Sequence, residues 1–153
     1  MIFILGLTGC GDTEREQMTV FSFCGENEQL VVTNGVIVLN NAEEIFYGGD
    51  LDVKQEFFSD IASYSTSFYI ISGDEKKTIL SNSVVDMTGG TIDVAGNLGK
   101  VSGDSILTGT RINGLSDLKN NLYFELTTTD MNGEENMYQL QIILKEVTKE
   151  NDN

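Results

Sequence analysis

Apolar residues recur along this chain with a period of two almost everywhere, and helical spacing is scarce. Two β-rich runs, Gln29 to Thr33 and Val36 to Asn40, are separated by Asn34-Gly35. Both of these residues tolerate positive φ, so the pair predicts a tight hairpin. Glu43 to Tyr47 predicts a further strand ending at Gly48-Gly49, and Leu51 and Val53 resume the alternation. Phe57, Phe58 and Ile61 permit either a short helix or a covering loop over Lys54 to Ala62. Ser67 to Ser72 and Thr78 to Ser81 flank the charged turn Gly73-Asp-Glu-Lys-Lys77 and predict a hairpin. Short strands are also expected over Val84 to Met87, Thr91 to Val94 and Ser105 to Arg111. Leu115 to Asn120 predicts one helical turn with Ser116 as its cap.

The clearest element lies near the end of the chain. Leu122, Phe124 and Leu126 share one face of a strand, and Tyr138, Leu140, Ile142 and Leu144 share one face of the next. Asn132-Gly133 lies in the segment that joins them, and residues 148–153 are expected as a polar, disordered tail. About nine or ten short strands, punctuated roughly every 8–12 residues, predict an all-β antiparallel sandwich of immunoglobulin-like architecture. At most one or two helical turns accompany it. The polar alternate positions argue against a parallel sheet covered on both faces.

Composition narrows the functional classes. Hydrophobic residues make up 40% of the 153-residue chain, too many for a disordered protein, and the length suits one domain over residues 18–147. The net charge of −15 lacks the basic patch that phosphate contacts need, which excludes nucleic acid as a partner. With no His, the chain lacks the usual general base, the usual transition-metal ligand and the Ser-His or Cys-His nucleophile pair.

The first residues indicate where the protein works. An apolar run, Ile2 to Leu7, leads into Leu7-Thr8-Gly9-Cys10, and the polar stretch Gly11 to Gln17 follows. This arrangement resembles the signal and lipobox of bacterial lipoproteins. The resemblance covers about the first 12 residues and implies that residues 1–9 are removed and that Cys10 carries acyl chains. Residues 10–17 then act as a tether. It implies an extracytoplasmic, membrane-anchored lipoprotein, with a Gram-positive envelope as the expected setting. Two or more acyl chains, at about 0.8 kcal/mol per buried CH₂, make a stable anchor. The competing arrangement is an N-terminal strand ending at a Gly-Cys-Gly turn, in which Cys10 is free to pair with Cys24. With Cys10 lipidated, Cys24 in Met18-Thr-Val-Phe-Ser-Phe-Cys24 is expected as a buried structural thiol.

Catalytic signatures are missing. No Gly-x-Ser-x-Gly elbow occurs, and Gly99-Lys100 is followed by Val101 instead of the Ser or Thr of a phosphate loop. Carboxylates remain. Asp130, Asn132 and Glu134 offer hard oxygens at alternate positions of a Gly-containing loop, which makes them the metal candidate, with Ca²⁺ as the ion. A charged hairpin turn is the competing reading of that loop. Asp50 and Asp52 project from one edge of a glycine turn. Paired acids of this kind are also what a carboxylate hydrolase needs. Tyr47, Tyr64, Tyr69 and Tyr123 are candidates for a sugar or partner surface. The alternations Phe68-Tyr69 and Tyr123-Phe124 require one member of each pair to leave the core. The expectation is a lipid-anchored binding or accessory module that is not an enzyme and has no resident cofactor. Its partners are the membrane through Cys10 and a protein or glycan of the envelope. A Ca²⁺-dependent or carbohydrate-binding domain is the first alternative, and a carboxylate hydrolase the second.

Overall fold

The computed structural model describes residues 18–107 and 115–148 and forms an antiparallel β-sandwich. The first sheet contains β1 (Thr19–Glu26), β2 (Leu30–Leu39), β3 (Glu44–Tyr47) and β4 (Asp50–Val53). The second contains β5 (Ile61–Ser72) and β6 (Glu75–Val85). The chain then returns to the first sheet as β7 (Gly96–Asn97) and β8 (Lys100–Gly103). A helix, α1 (Leu115–Asn121), leads directly into β9 (Leu122–Asp130) and β10 (Glu135–Gln141) of the second sheet, and β11 (Ile143–Glu146) closes the first.

The four-stranded sheet runs β10-β9-β5-β6, so it contains both expected hairpins, joined by the pairing of β9 with β5. Phe68 pairs with Phe124, which in turn pairs with Leu140. The seven-stranded sheet runs β11-β1-β2-β3-β8, with β4 paired to β2 and β7 to β4. β10 and β11 are one extended segment that changes sheet at Ile142, a buried residue whose amide donates to the Leu122 carbonyl at 2.9 Å. The tail reaches the fold as far as Thr148, whose hydroxyl accepts from the Val20 amide at 3.3 Å.

Between the sheets, Phe23 and Phe46 of the first meet Phe68 and Phe124 of the second. Their ring centroids lie 4.9–5.6 Å apart in stacked, tilted and edge-on pairs. Such aromatic pairs contribute about 0.5–1.5 kcal/mol each beyond the area they bury. Leu30, Val32, Ile37, Ile70, Leu122 and Leu126 are fully buried around them.

Four expectations need correction. Asn34-Gly35 is not a hairpin turn: β2 runs unbroken from Leu30 to Leu39 and pairs with β1 along both halves. Asn34 adopts φ 59° inside the strand, and Phe23 and Gly25 of β1 face Gly35 and Val32, so β2 carries the extra residue of a bulge. Cys24 is exposed, not buried, because Phe21 and Phe23 take the core side of β1 and leave Cys24 on the outer side with Ser22. Residues 91–94 and 105–107 form no strand. The ambiguous segment resolves into a single 3₁₀ turn, Gln55–Phe57, with Phe58 buried behind it. Helix α1 begins at Leu115, which places Ser116 within its first turn and not at its cap. Cys10, residues 108–114 and residues 149–153 lie outside the described residues.

Candidate functional site

The bulge in β2 is one of a row. The buried positions of β3 are Glu44 and Phe46, while those of β4 are Leu51 and Val53, so the inward parity changes between them at Gly48-Gly49. β7 and β8 meet in the same way, with Leu98 buried before the change and Val101 packed against the core after it. Gly49 and Gly99 hold φ at 77° and 82°, a region where side chains with a Cβ are strained. The corners are tied together, as the Gly48 amide donates to the Gly99 carbonyl and the Leu98 amide to the Gly49 carbonyl, both at 2.8 Å. From the second sheet, Asn82 Nδ2 donates to the Leu98 carbonyl at 2.8 Å and satisfies an acceptor that the bulge leaves without a ladder partner. Three neighbouring strands therefore kink at one level, and the sheet is creased above the phenylalanine cluster.

A cleft of about 400 Å³ follows the crease on the outer face. Two cross-strand rows flank it. On one side Val36, Tyr47 and Lys100 face one another across β2, β3 and β8. On the other side Thr33, Asp50 and Asn97 face one another across β2, β4 and β7. Tyr47 is 38% exposed, although large aromatics are usually well covered. The Lys100 ammonium lies 5.8 Å from the centroid of its ring, near the outer limit of about 6 Å for a cation–π contact. Asp50 is held from both sides: Asn34 Nδ2 donates to Oδ2 at 3.0 Å and Asn97 Nδ2 to Oδ1 at 3.4 Å. Asn97 is itself fixed, because its Oδ1 accepts the Gly99 amide at 2.9 Å. The positive-φ corner and the side chain that steadies the carboxylate are thus one unit.

Of the acid pair expected on this edge, Asp50 lines the cleft. Asp52 lies further along β4 and accepts its neighbour's amide, from Val53 at 3.0 Å. Of the four tyrosines, Tyr47 reaches the cleft. Tyr69 and Tyr123 stack on the outer face of the other sheet at 5.6 Å, while Phe68 and Phe124 take the core, so one member of each pair leaves the core as expected. Tyr64 packs against the edge of the core, and burial raises its hydroxyl pKa, with a smaller contribution from the Asp93 carboxylate. Asn34, Asn97 and Lys100 are the residues that sequence reasoning missed. Each sits beside a glycine and so reads locally as part of a turn.

The Asp130 loop closes the β9–β10 hairpin. Asp130 Oδ1 accepts the Asn132 amide at 2.8 Å and the Glu134 amide at 2.9 Å, and the Gly133 amide donates to the Asp130 carbonyl at 3.0 Å. These bonds give the carboxylate a turn-capping role. A similar cap holds the Asp86 turn, where Thr88 Oγ1, the Thr88 amide and the Gly90 amide donate to the carboxylate at 2.6–3.0 Å. The Thr88 bonds, first among the causes, lower the Asp86 pKa below the usual carboxylate range. Among the described residues no group of three or more acidic, Cys or His side chains is arranged to hold a metal, and no helix is long and apolar enough to cross a membrane. No protein-family model, curated protein or solved structure matches the chain.

Proposed function

We propose that this protein is a lipid-anchored, extracytoplasmic binding module that captures a polar ligand in the crease of its larger sheet and performs no chemistry on it. The observation that carries this reading is the state of Asp50, a carboxylate fixed by two amides beside an exposed tyrosine ring. Side chains held in place before a ligand arrives reduce the ordering cost of binding, and a site on paired strands is stiffer than one on loops. The volume falls within the ~300–1,000 Å³ typical of ligand clefts. Against catalysis, Asp50 is the single carboxylate among the described residues lining the cleft, whereas a two-acid hydrolase needs a pair about 5–9.5 Å apart across the scissile bond. Acylation at Cys10, followed by the polar tether, would hold the module at the membrane surface with its cleft accessible.

Two measurements on the native protein test this reading. Intact mass of the chain extracted from its own membranes is expected to show an N-terminus at Cys10 carrying acyl mass. The acylated chain is also expected to retain isolated cell-envelope material, and a Tyr47→Ala, Asp50→Ala double variant of unchanged melting temperature is expected to release it. An unprocessed N-terminus without acylation removes the anchoring half of the proposal. Retention that ignores both substitutions, or turnover of the retained material, removes the binding half.

A further inference from the structure

We infer that the crease takes a neutral saccharide, with a sugar ring stacked on Tyr47 and its hydroxyl groups on Asp50 and Lys100. The inference rests on the binding-module reading and specifies its ligand class. It starts from the two rows that flank the crease. One presents an apolar, aromatic surface with an ammonium at its end, Val36-Tyr47-Lys100. The other presents a carboxylate between hydroxyl and amide side chains, Thr33-Asp50-Asn97. A ligand that fills the space must be apolar on one face and rich in hydrogen-bonding groups along its edge. A sugar ring has this form, with C–H groups on one face and hydroxyls around the rim.

The donor and acceptor inventory agrees. An ionised carboxylate has about four lone-pair sites. Two of those on Asp50 are taken by Asn34 and Asn97. The remainder accept from donors, and adjacent hydroxyl groups supply a matched pair. Hydrogen bonds to an ionised acceptor are roughly twice as strong as neutral ones. The Lys100 ammonium, too far from the Tyr47 ring to be locked to it, donates to ring or hydroxyl oxygens.

Charge excludes the other amphipathic classes. The net charge of −15 disfavours the approach of an anionic ligand to any face of the protein. The same net charge attracts a cationic ligand to the protein as a whole, but at this cleft the Lys100 ammonium, 5.8 Å from the Tyr47 centroid, opposes a second cation on that ring. Within the cleft Lys100 and Asp50 balance each other, which leaves a neutral, hydroxyl-bearing ligand as the best fit. A peptide is a poorer match, because Asp50 and the two flanking amides offer few partners to the alternating N–H and C=O groups of an extended backbone.

The test is an amide-resolved NMR titration of the full chain with neutral cello-, malto-, galacto- and N-acetylchito-oligosaccharides, with oligogalacturonate and chitosan oligomers as the anionic and cationic comparators. At least one neutral series is expected to shift the resonances of Tyr47, Asp50, Asn97 and Lys100, while those of Tyr69 and Tyr123 stay in place. Tyr47→Ala and Asp50→Ala are each expected to weaken the interaction at least tenfold, and Lys100→Gln less. Unchanged melting temperatures would show that the folds are intact. If no neutral series moves the cleft, or if a charged oligomer binds more tightly than every neutral one, the saccharide assignment is overturned. A short peptide that moves the same resonances would overturn the assignment and leave the binding module standing. Cleft resonances unmoved by every probe and by envelope material would bring down both.

Discussion

Each sheet carries a tyrosine and a lysine on its outer face, and the two pairs have opposite fates. On the four-stranded sheet, Lys76 Nζ lies 3.9 Å from the centroid of Tyr69, Tyr123 stacks on the same ring, Gln139 hydrogen-bonds its hydroxyl, and Lys76 is paired with Glu125 at 3.2 Å. Tyr69 is consequently 2% exposed on the outer face. On the seven-stranded sheet, Tyr47 stays 38% exposed and Lys100 stands at 5.8 Å. The residue types are alike. What differs is the backbone beneath them. The smaller sheet has one irregularity beside this ring, between Phe68 and Tyr69 on the β6 side, but β5 keeps its register with β9 there, and Lys76, Tyr123 and Gln139 close over the ring; the larger sheet has irregularities aligned across neighbouring strands and a cleft between its rows. A satisfied cluster stabilises the fold, and an open one is available to a ligand.

The comparison breaks first at its cause. A Cβ at Gly49 would lie 2.1 Å from the Thr33 carbonyl oxygen and 2.6 Å from the Gly35 amide nitrogen, at φ 77°. Gly49→Ala is expected to cost about 3–5 kcal/mol, as a backbone clash and a positive-φ penalty act together. Gly73, at φ 62° with open space around it, meets the strain alone, so Gly73→Ala is expected to cost about 1 kcal/mol. Urea denaturation of both variants measures the difference; equal losses would mean that the crease is not held by the close backbone approach.

A second pair of substitutions sharpens the contrast between the sheets. Tyr69→Ala is expected to destabilise by about 3 kcal/mol, in the range for a buried aromatic. Tyr47→Ala is expected to cost under about 1 kcal/mol, as for an exposed site away from the core. Thermal unfolding of the two variants side by side reads this, and a Tyr47 loss as large as that of Tyr69 would make Tyr47 a structural residue. The smallest effect belongs to the loop at the end of β9. Asp130→Ala is expected to cost about 1 kcal/mol through the loss of its cap bonds. Millimolar Ca²⁺ is expected to leave the melting temperature of the parent protein unchanged. A rise in melting temperature with Ca²⁺ that disappears in the Asp130 variant would instead support the metal reading of this loop.

How much could be read in advance depended on whether the deciding contact was local. The β5–β6 and β9–β10 hairpins were legible, because a turn such as Asn132-Gly133 and the alternation on either side of it lie within a few residues of each other. That one member of each of the pairs Phe68-Tyr69 and Tyr123-Phe124 leaves the core was legible for the same reason, but the inward choice of Phe68 was decided by its partners in the other strands. The outward position of Cys24 was also present in its parity with Ser22, and the pull of cysteine's general tendency to be buried obscured it. At Asn34-Gly35 and Gly48-Gly49 the same local signal, tolerance of positive φ, served a different end. A positive φ permits either a reversal or a bulge, and the residues concerned cannot distinguish the two.

The sequence by itself determined an acidic, His-free chain of short alternating strands and the turns of its β5–β6 and β9–β10 hairpins. These are properties of period, charge and local backbone freedom. Tertiary structure alone decided that the extra residues of three strands fall at one level, because register depends on partners distant in the chain. Residues 33–36, 47–50 and 97–100 become one site only when β2, β3-β4 and β7-β8 pair side by side. Strand pairing brings Tyr47, Asp50 and Lys100 together, and the shared fold in the backbone keeps them uncovered.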